Sequence, residues 1–123
     1  MVAFSDFNVQ GDKPVYIQIV EYVKIQIHLG HARSGDELPS RRDLAGTLGI
    51  NPNTVQKAYK QLESEGLLQT GNNVKSVLFV SDRIKLKIEK ELTKETALKF
   101  IEYAKSLNMS YKETIVLMSK LWE

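Results

Sequence analysis

Between Leu48 and Tyr59 the chain reads LGINPNTVQKAY, a sharp turn followed at once by the start of a helix. Asn51, Asn53, Thr54 and Gln56 bring amides and a hydroxyl to that helix tip, and Lys57 and Lys60 add two cations within the next turn and a half. Such side chains, set beside the orphan backbone N–H groups of a helix start, suit a partner that offers anionic and hydrogen-bonding groups. Phosphate oxygens and base edges are such groups. Val55, Ala58, Tyr59 and Leu62 make the apolar stripe of the same helix. At about 100° per residue, Asn53, Lys57 and Lys60 point away from it, with Gln56 and Gln61 on its flanks. The plainer reading makes Asn51 and Thr54 a helix cap, since Asn-Pro is a common helix start, and leaves the rest as a solvated face. For Asn51 both readings stand. The set of Asn53, Gln56, Lys57, Lys60 and Gln61 favours a nucleic-acid face.

Other chemistries find little support. His28 and His31 are three apart, but no carboxylate pair completes a metal site, and the absence of cysteine excludes a disulfide framework and cysteine-based zinc. Ser40, Ser64 and Ser110 have no partnered His-Asp set, and there is no glycine-rich phosphate loop. No enzymatic activity, cofactor or metal is expected. Residues 1–80 carry eight Lys/Arg and eight Asp/Glu, and the rest of the chain supplies the net charge of +2. An electrostatic footprint must therefore come from local clustering: no acid interrupts Asn51 to Gln61, and Arg41-Arg42 lies upstream. Non-specific affinity for DNA should be modest. The N-terminus lacks the basic and apolar run of a signal peptide, no segment has the ~20 apolar residues of a membrane span, and a cytoplasmic location is expected.

These residues need elements to hold them. Asp12-Lys13-Pro14 predicts a helix start, with Val15, Ile19, Tyr22, Val23 and Ile27 at helical spacing and Gly30 as the stop. Ile17 and Ile25 fall off that stripe, so the helix should touch something besides its own domain. His31 to Glu37 reads as a loop. In PSRRDLAGTLG, Ser40 is the expected N-cap, Asp43 lies at capping-box spacing, and Gly49 closes the helix. The next helix starts after Asn51 with Pro52 in its first position and ends at Gly66. Leu67 to Thr70 and Val77 to Val80 bracket GNNVKS, which predicts a short β-hairpin. A long helix from Asp82 to Leu107, a break at Asn108-Met109 and a last helix from Ser110 to Trp122 follow. Two short helices joined by a tight turn, with a hairpin behind them, make a winged helix-turn-helix. The fold class expected is mainly α with a small β-hairpin.

The stretch GDELPSRRDLAGTLGINPNTVQKAYKQLESEGLL, Gly35 to Leu68, resembles the DNA-binding domain of GntR-family transcription regulators, and PVYIQIVEYVKIQIHLG, Pro14 to Gly30, is similar to that family's first helix. The resemblance implies DNA contacts at Ser40 and Arg42 on the second helix, with Arg41 adjoining them. It implies others at Asn51, Asn53, Thr54 and Gln56 on the recognition helix. Gln56 stands where several relatives carry Arg, which points to adenine in place of guanine. The wing departs from the usual Gly-x-Gly pattern, and Asn73 and Lys75, with Asn72, are its candidates for the minor groove. The short tail resembles that of the YtrA-type branch, several members of which control transporter operons.

Residues 1–80 are thus expected to form the winged domain and 81–123 a helical tail. A tail of 43 residues cannot easily enclose an effector cavity, and any effector is unknown. The tail's helices are apolar nearly all round, which requires burial on more than one side. Leu98, Ile101, Tyr111, Ile115, Met118 and Trp122 are its expected dimerisation residues, the alternative being a tail that packs only on the first helix of its own chain. The function expected is a homodimeric, sequence-specific regulator, a repressor, on a palindromic double-stranded DNA operator. The competing class is a winged-helix module that binds protein, disfavoured because the polar face lacks aromatic or aliphatic anchors.

Overall fold

The computed structural model describes residues 1–70 and 75–123. In chain order the elements are α1 (Val15–His28), β1 (Glu37–Leu38), α2 (Arg41–Leu48), α3 (Pro52–Ser64), β2 (Leu68–Thr70), β3 (Ser76–Leu78), α4 (Asp82–Ser106) and α5 (Tyr111–Leu121). They gather into two compact units, Met1–Ile88 and Glu89–Glu123, so α4 begins in the first and continues in the second. The architecture is mainly helical with a small antiparallel sheet, the class expected.

In the first unit the starts and stops are local chemistry. The Ser40 hydroxyl accepts the Asp43 N–H at 3.0 Å, and the Asn51 side-chain oxygen Oδ1 accepts the Asn53 N–H at 2.8 Å, so each helix of the helix-turn-helix has one orphan donor satisfied. Between them Gly49 sits at φ +66, the left-handed conformation that lets the chain turn out of α2 while its N–H returns to the Ala45 carbonyl. α1 differs from expectation. Its N-cap is Pro14 with no side-chain cap bond, because Asp12 lies too early to reach the first turn. Gln18 organises this approach instead, donating to the Lys13 carbonyl at 2.8 Å and accepting from the Gln10 N–H at 2.9 Å.

Ile19, Val23 and Ile27 from α1, Leu44 from α2, Val55, Ala58, Tyr59 and Leu62 from α3, and Leu67 and Leu78 beside the sheet are all sealed from solvent. Burying a large apolar side chain stabilises by roughly 1.5–3 kcal/mol, so this cluster dominates the fold. The sheet has a third strand that the hairpin reading lacked. β1 pairs with β3 (Glu37↔Val77, Leu38↔Ser76), and β3 pairs with β2 (Leu68↔Leu78, Thr70↔Ser76), giving the order β1-β3-β2. The stretch read as a loop therefore ends in a strand.

The N-terminal segment also has a place. Val2, Phe4 and Phe7 are buried, and the rings of Phe4 and Phe7 lie 5.1 and 5.4 Å from that of Tyr22 on α1. The Tyr22 hydroxyl donates to the Ala3 carbonyl at 2.8 Å, and the Val2 N–H donates to Glu37. The Tyr22 side of α1 is therefore covered from within its own unit. Ile25 and Leu29 stay exposed.

In the second unit α4 stops at Ser106, and Asn108 at φ +61 turns the chain. α5 begins with a full capping box: the Ser110 hydroxyl accepts the Glu113 N–H, and the Glu113 carboxylate accepts the Ser110 N–H. Those bonds from Ser110 hold the Glu113 carboxyl below its usual range. Few of this unit's large apolar side chains are covered. Tyr111 is 83% and Trp122 76% exposed.

Candidate nucleic-acid interface

α3 is pressed along α1 by its buried stripe, which leaves its opposite face outward. Asn53, Lys57 and Lys60 are exposed, as periodicity requires, and Gln56 and Thr54 are half-buried beside them. At the tip, the Asn51 amide oxygen is committed to the cap, while its NH2 group remains able to donate. Thr54 is fixed by its N–H to the Asn51 carbonyl at 2.9 Å. Gln61 turns away from the tip, donating to Glu65 at 2.9 Å.

The start of α2 supplies a second set. Ser40 is exposed, and its oxygen accepts the capping bond, which leaves its O–H free to donate. Arg42 is exposed on the first turn. Arg41 is half-buried, its Nε is shielded from solvent, and that Nε has no hydrogen-bond partner among the described residues. The hydroxyl of buried Tyr59, which feels the charge of Arg41, donates to the Pro39 carbonyl at 2.7 Å. Burial drives the Tyr59 phenol well above its ordinary range, and the charge of Arg41 opposes this only in part. Tyr59 thus ties the middle of α3 to the residue before the α2 cap. Periodicity assigns Tyr59 to the core, but its bond across 20 positions has no local signal.

On the wing, Asn72 and Asn73 lie outside the described residues. Lys75 is exposed and pairs with Glu37 on β1 at 3.4 Å. Exposed pairs contribute about 0–1 kcal/mol, so this lysine can exchange its carboxylate for a phosphate at small cost. The other unexpected contact is on Lys57, whose ammonium lies over the ring of Tyr16 on α1, 4.3 Å from its centre. At the far end of the same helix pair, Lys24 bonds Glu65 at 2.6 Å. No cluster of metal-ligating side chains exists among the described residues, and no helix among them is long and apolar enough to cross a membrane.

In the tail, Leu98, Ile101, Tyr111, Ile115 and Trp122 are exposed and Met118 is half-covered. The tail forms an open groove of about 290 Å³, lined by residues that include Phe100, Tyr103, Leu117 and Trp122. It is close to the lower end of ligand-site volumes.

Residues 15–74 match the family described as bacterial regulatory proteins, gntR family. Among curated relatives, the HTH-type transcriptional repressor YtrA of Bacillus subtilis is 49% identical over 61 residues, 50% of this chain and 47% of YtrA. The chain thus spans about half of that protein. A solved GntR family transcriptional regulator from Listeria monocytogenes shares the fold at a TM-score of 0.80 with 31% identity, covering 92% of this chain and 99% of that one. The DNA-binding domain of AraR, solved in complex with operator ORX1, matches 58% of this chain and 92% of its own at a TM-score of 0.53 and 25% identity. With the winged helix-turn-helix, the capped recognition helix and a regulator alike over nearly its whole length, the chain belongs to the GntR family of DNA-binding transcription regulators.

Proposed function

We propose that this chain is a cytoplasmic, sequence-specific repressor that binds a palindromic operator as a homodimer. The observation that carries the reading is the outward face of α3: Asn53, Lys57 and Lys60 are exposed, and no acid stands between Asn51 and Gln61. In this reading Asn53 and Gln56 meet base edges, while Ser40, Arg42, Lys57 and Lys60 meet phosphate or base edges at the margins. Asn51 and Thr54 hold the tip and donate what the cap leaves over. Arg41 reaches the backbone with its terminal nitrogens only, and Lys75 meets it on the wing. The description of AraR on its operator and the naming of YtrA as a repressor support the same reading. The likeness to the YtrA branch suggests a transporter operon as the regulated unit.

The dimer rests on the tail. Leu98, Ile101, Tyr111, Ile115 and Trp122 form an apolar surface that a monomer would leave in water, and a second copy would cover it and fill the groove. One winged domain reads too few base pairs to select a site, and two on a two-fold axis read an inverted repeat.

The test is a titration of the full chain on duplex DNA from upstream of its own gene at several salt concentrations. Arg42, Lys57 and Lys60 of two subunits alone make about six phosphate contacts, so the log–log slope should be roughly −5 or steeper. A flat response would overturn the reading.

A further inference from the structure

Lys57 and Lys60 are both exposed on α3, yet they are held differently. The Lys57 ammonium sits 4.3 Å above the centre of the Tyr16 ring, whereas Lys60 has no partner among the described residues. Tyr16 is half-buried at the start of α1, on a helix whose Ile19, Val20 and Val23 are anchored in the core, so the ring is carried by a rooted helix. A ring face attracts a cation without consuming its hydrogen-bond capacity as a carboxylate would, and N–H groups directed off the ring stay available. A free lysine side chain must lose rotamer freedom when it grips a phosphate; one already seated loses less.

We propose that Tyr16 is a positioning residue for DNA binding, its ring holding the Lys57 ammonium at a fixed place on the exposed face of α3 for a backbone phosphate. The proposal rests on the DNA-binding reading of α3 and assigns a function to a residue of α1 that the helix-turn-helix pattern alone leaves to packing. It makes Lys57 and Tyr16 one unit, so their deletions should not add. An exposed cation–ring contact corresponds to about a three-fold change in affinity per subunit.

The experiment is a double-mutant cycle in the full chain, read as affinity for a short duplex of random sequence at low salt, with thermal unfolding run alongside. Tyr16→Leu should weaken binding about three-fold per subunit, Tyr16→Phe should restore it, and Tyr16→Leu should cost nothing further once Lys57→Met is in place. An equal loss from Tyr16→Leu with and without Lys57 would overturn the proposal while leaving DNA binding intact. So would a Tyr16→Phe variant as weak as Tyr16→Leu, which would make the hydroxyl the working group. A Tyr16→Leu variant that loses thermal stability but no affinity would reduce the contact to packing. Failure of the unaltered chain to bind any duplex would instead sink the DNA-binding reading, and this proposal with it.

Discussion

Arg42 leaves the first turn of α2, two residues after a cap that already satisfies the Asp43 N–H, so its exposed guanidinium has no part in holding the helix. Arg42→Ala should therefore cost about 1–3 kcal/mol of operator affinity if it reads a base edge, with an unchanged melting curve. Correct folding with undiminished affinity would remove it from the interface. Tyr59 is the opposite case, fully buried and bonded to Pro39. Tyr59→Phe should destabilise by about 0.5–1.5 kcal/mol in urea at neutral pH. Because burial raises the folded phenol above the unfolded value of 10.0, the unfolded chain releases its proton first. Its contribution is thus present below pH 10 and declines as pH rises beyond, and Tyr59→Phe should flatten that alkaline decline. The caps at Ser40 and Asn51 were legible because a cap spans two or three residues. The contacts Lys57–Tyr16 and Tyr59–Pro39 were not, since neither residue's neighbours along the chain announce its partner.

Among the elements, α3 and its caps follow from periodicity, whereas β1 does not. A two-residue strand has no alternation to display, and Glu37 in HARSGDE looks like loop until β3 supplies the pairing. Val2 and Phe4 do show a spacing of two, a faint signal that the segment would lie extended against an apolar surface. The seating of α3 on α1 offers a test at this scale. Burial alone would raise the Glu65 carboxyl. Hydrogen bonds from Lys24 and Gln61, with the charges of Lys24 and Lys87, outweigh it and hold the group below its ordinary 4.5. The stabilisation is therefore complete above that value and lost as pH falls through the folded value. Lys24→Met should lower stability near pH 7 by no more than about 1 kcal/mol, since both partners keep some solvent contact, and should flatten the acid-side loss. Parallel acid titrations of the two chains followed by circular dichroism would expose a failure of this account.

At the scale of the whole molecule, Met1–Ile88 is a compact unit of its own, with a core that runs from Val2 to Ile88. Truncation after Asn108 should therefore leave the winged unit folded and yield a monomer that loses most affinity for a full palindrome, while an isolated half-site is bound as weakly as before. Sedimentation decides it: a truncated chain still dimeric at micromolar concentration would place the interface elsewhere. The three-stranded sheet has a consequence of another kind. Because β1 immediately precedes α2 and β3 closes the wing on it, with Glu37 opposite Val77, the reading head leaves one sheet and returns to it. Its ends are clasped, and the outward residues of α3 take no part in the clasp. Such a segment behaves as a cassette. Its tip, from Asn51 to Gln56, can drift in sequence and acquire a new target without renegotiating the scaffold that carries it, so long as Lys57 keeps its seat on Tyr16.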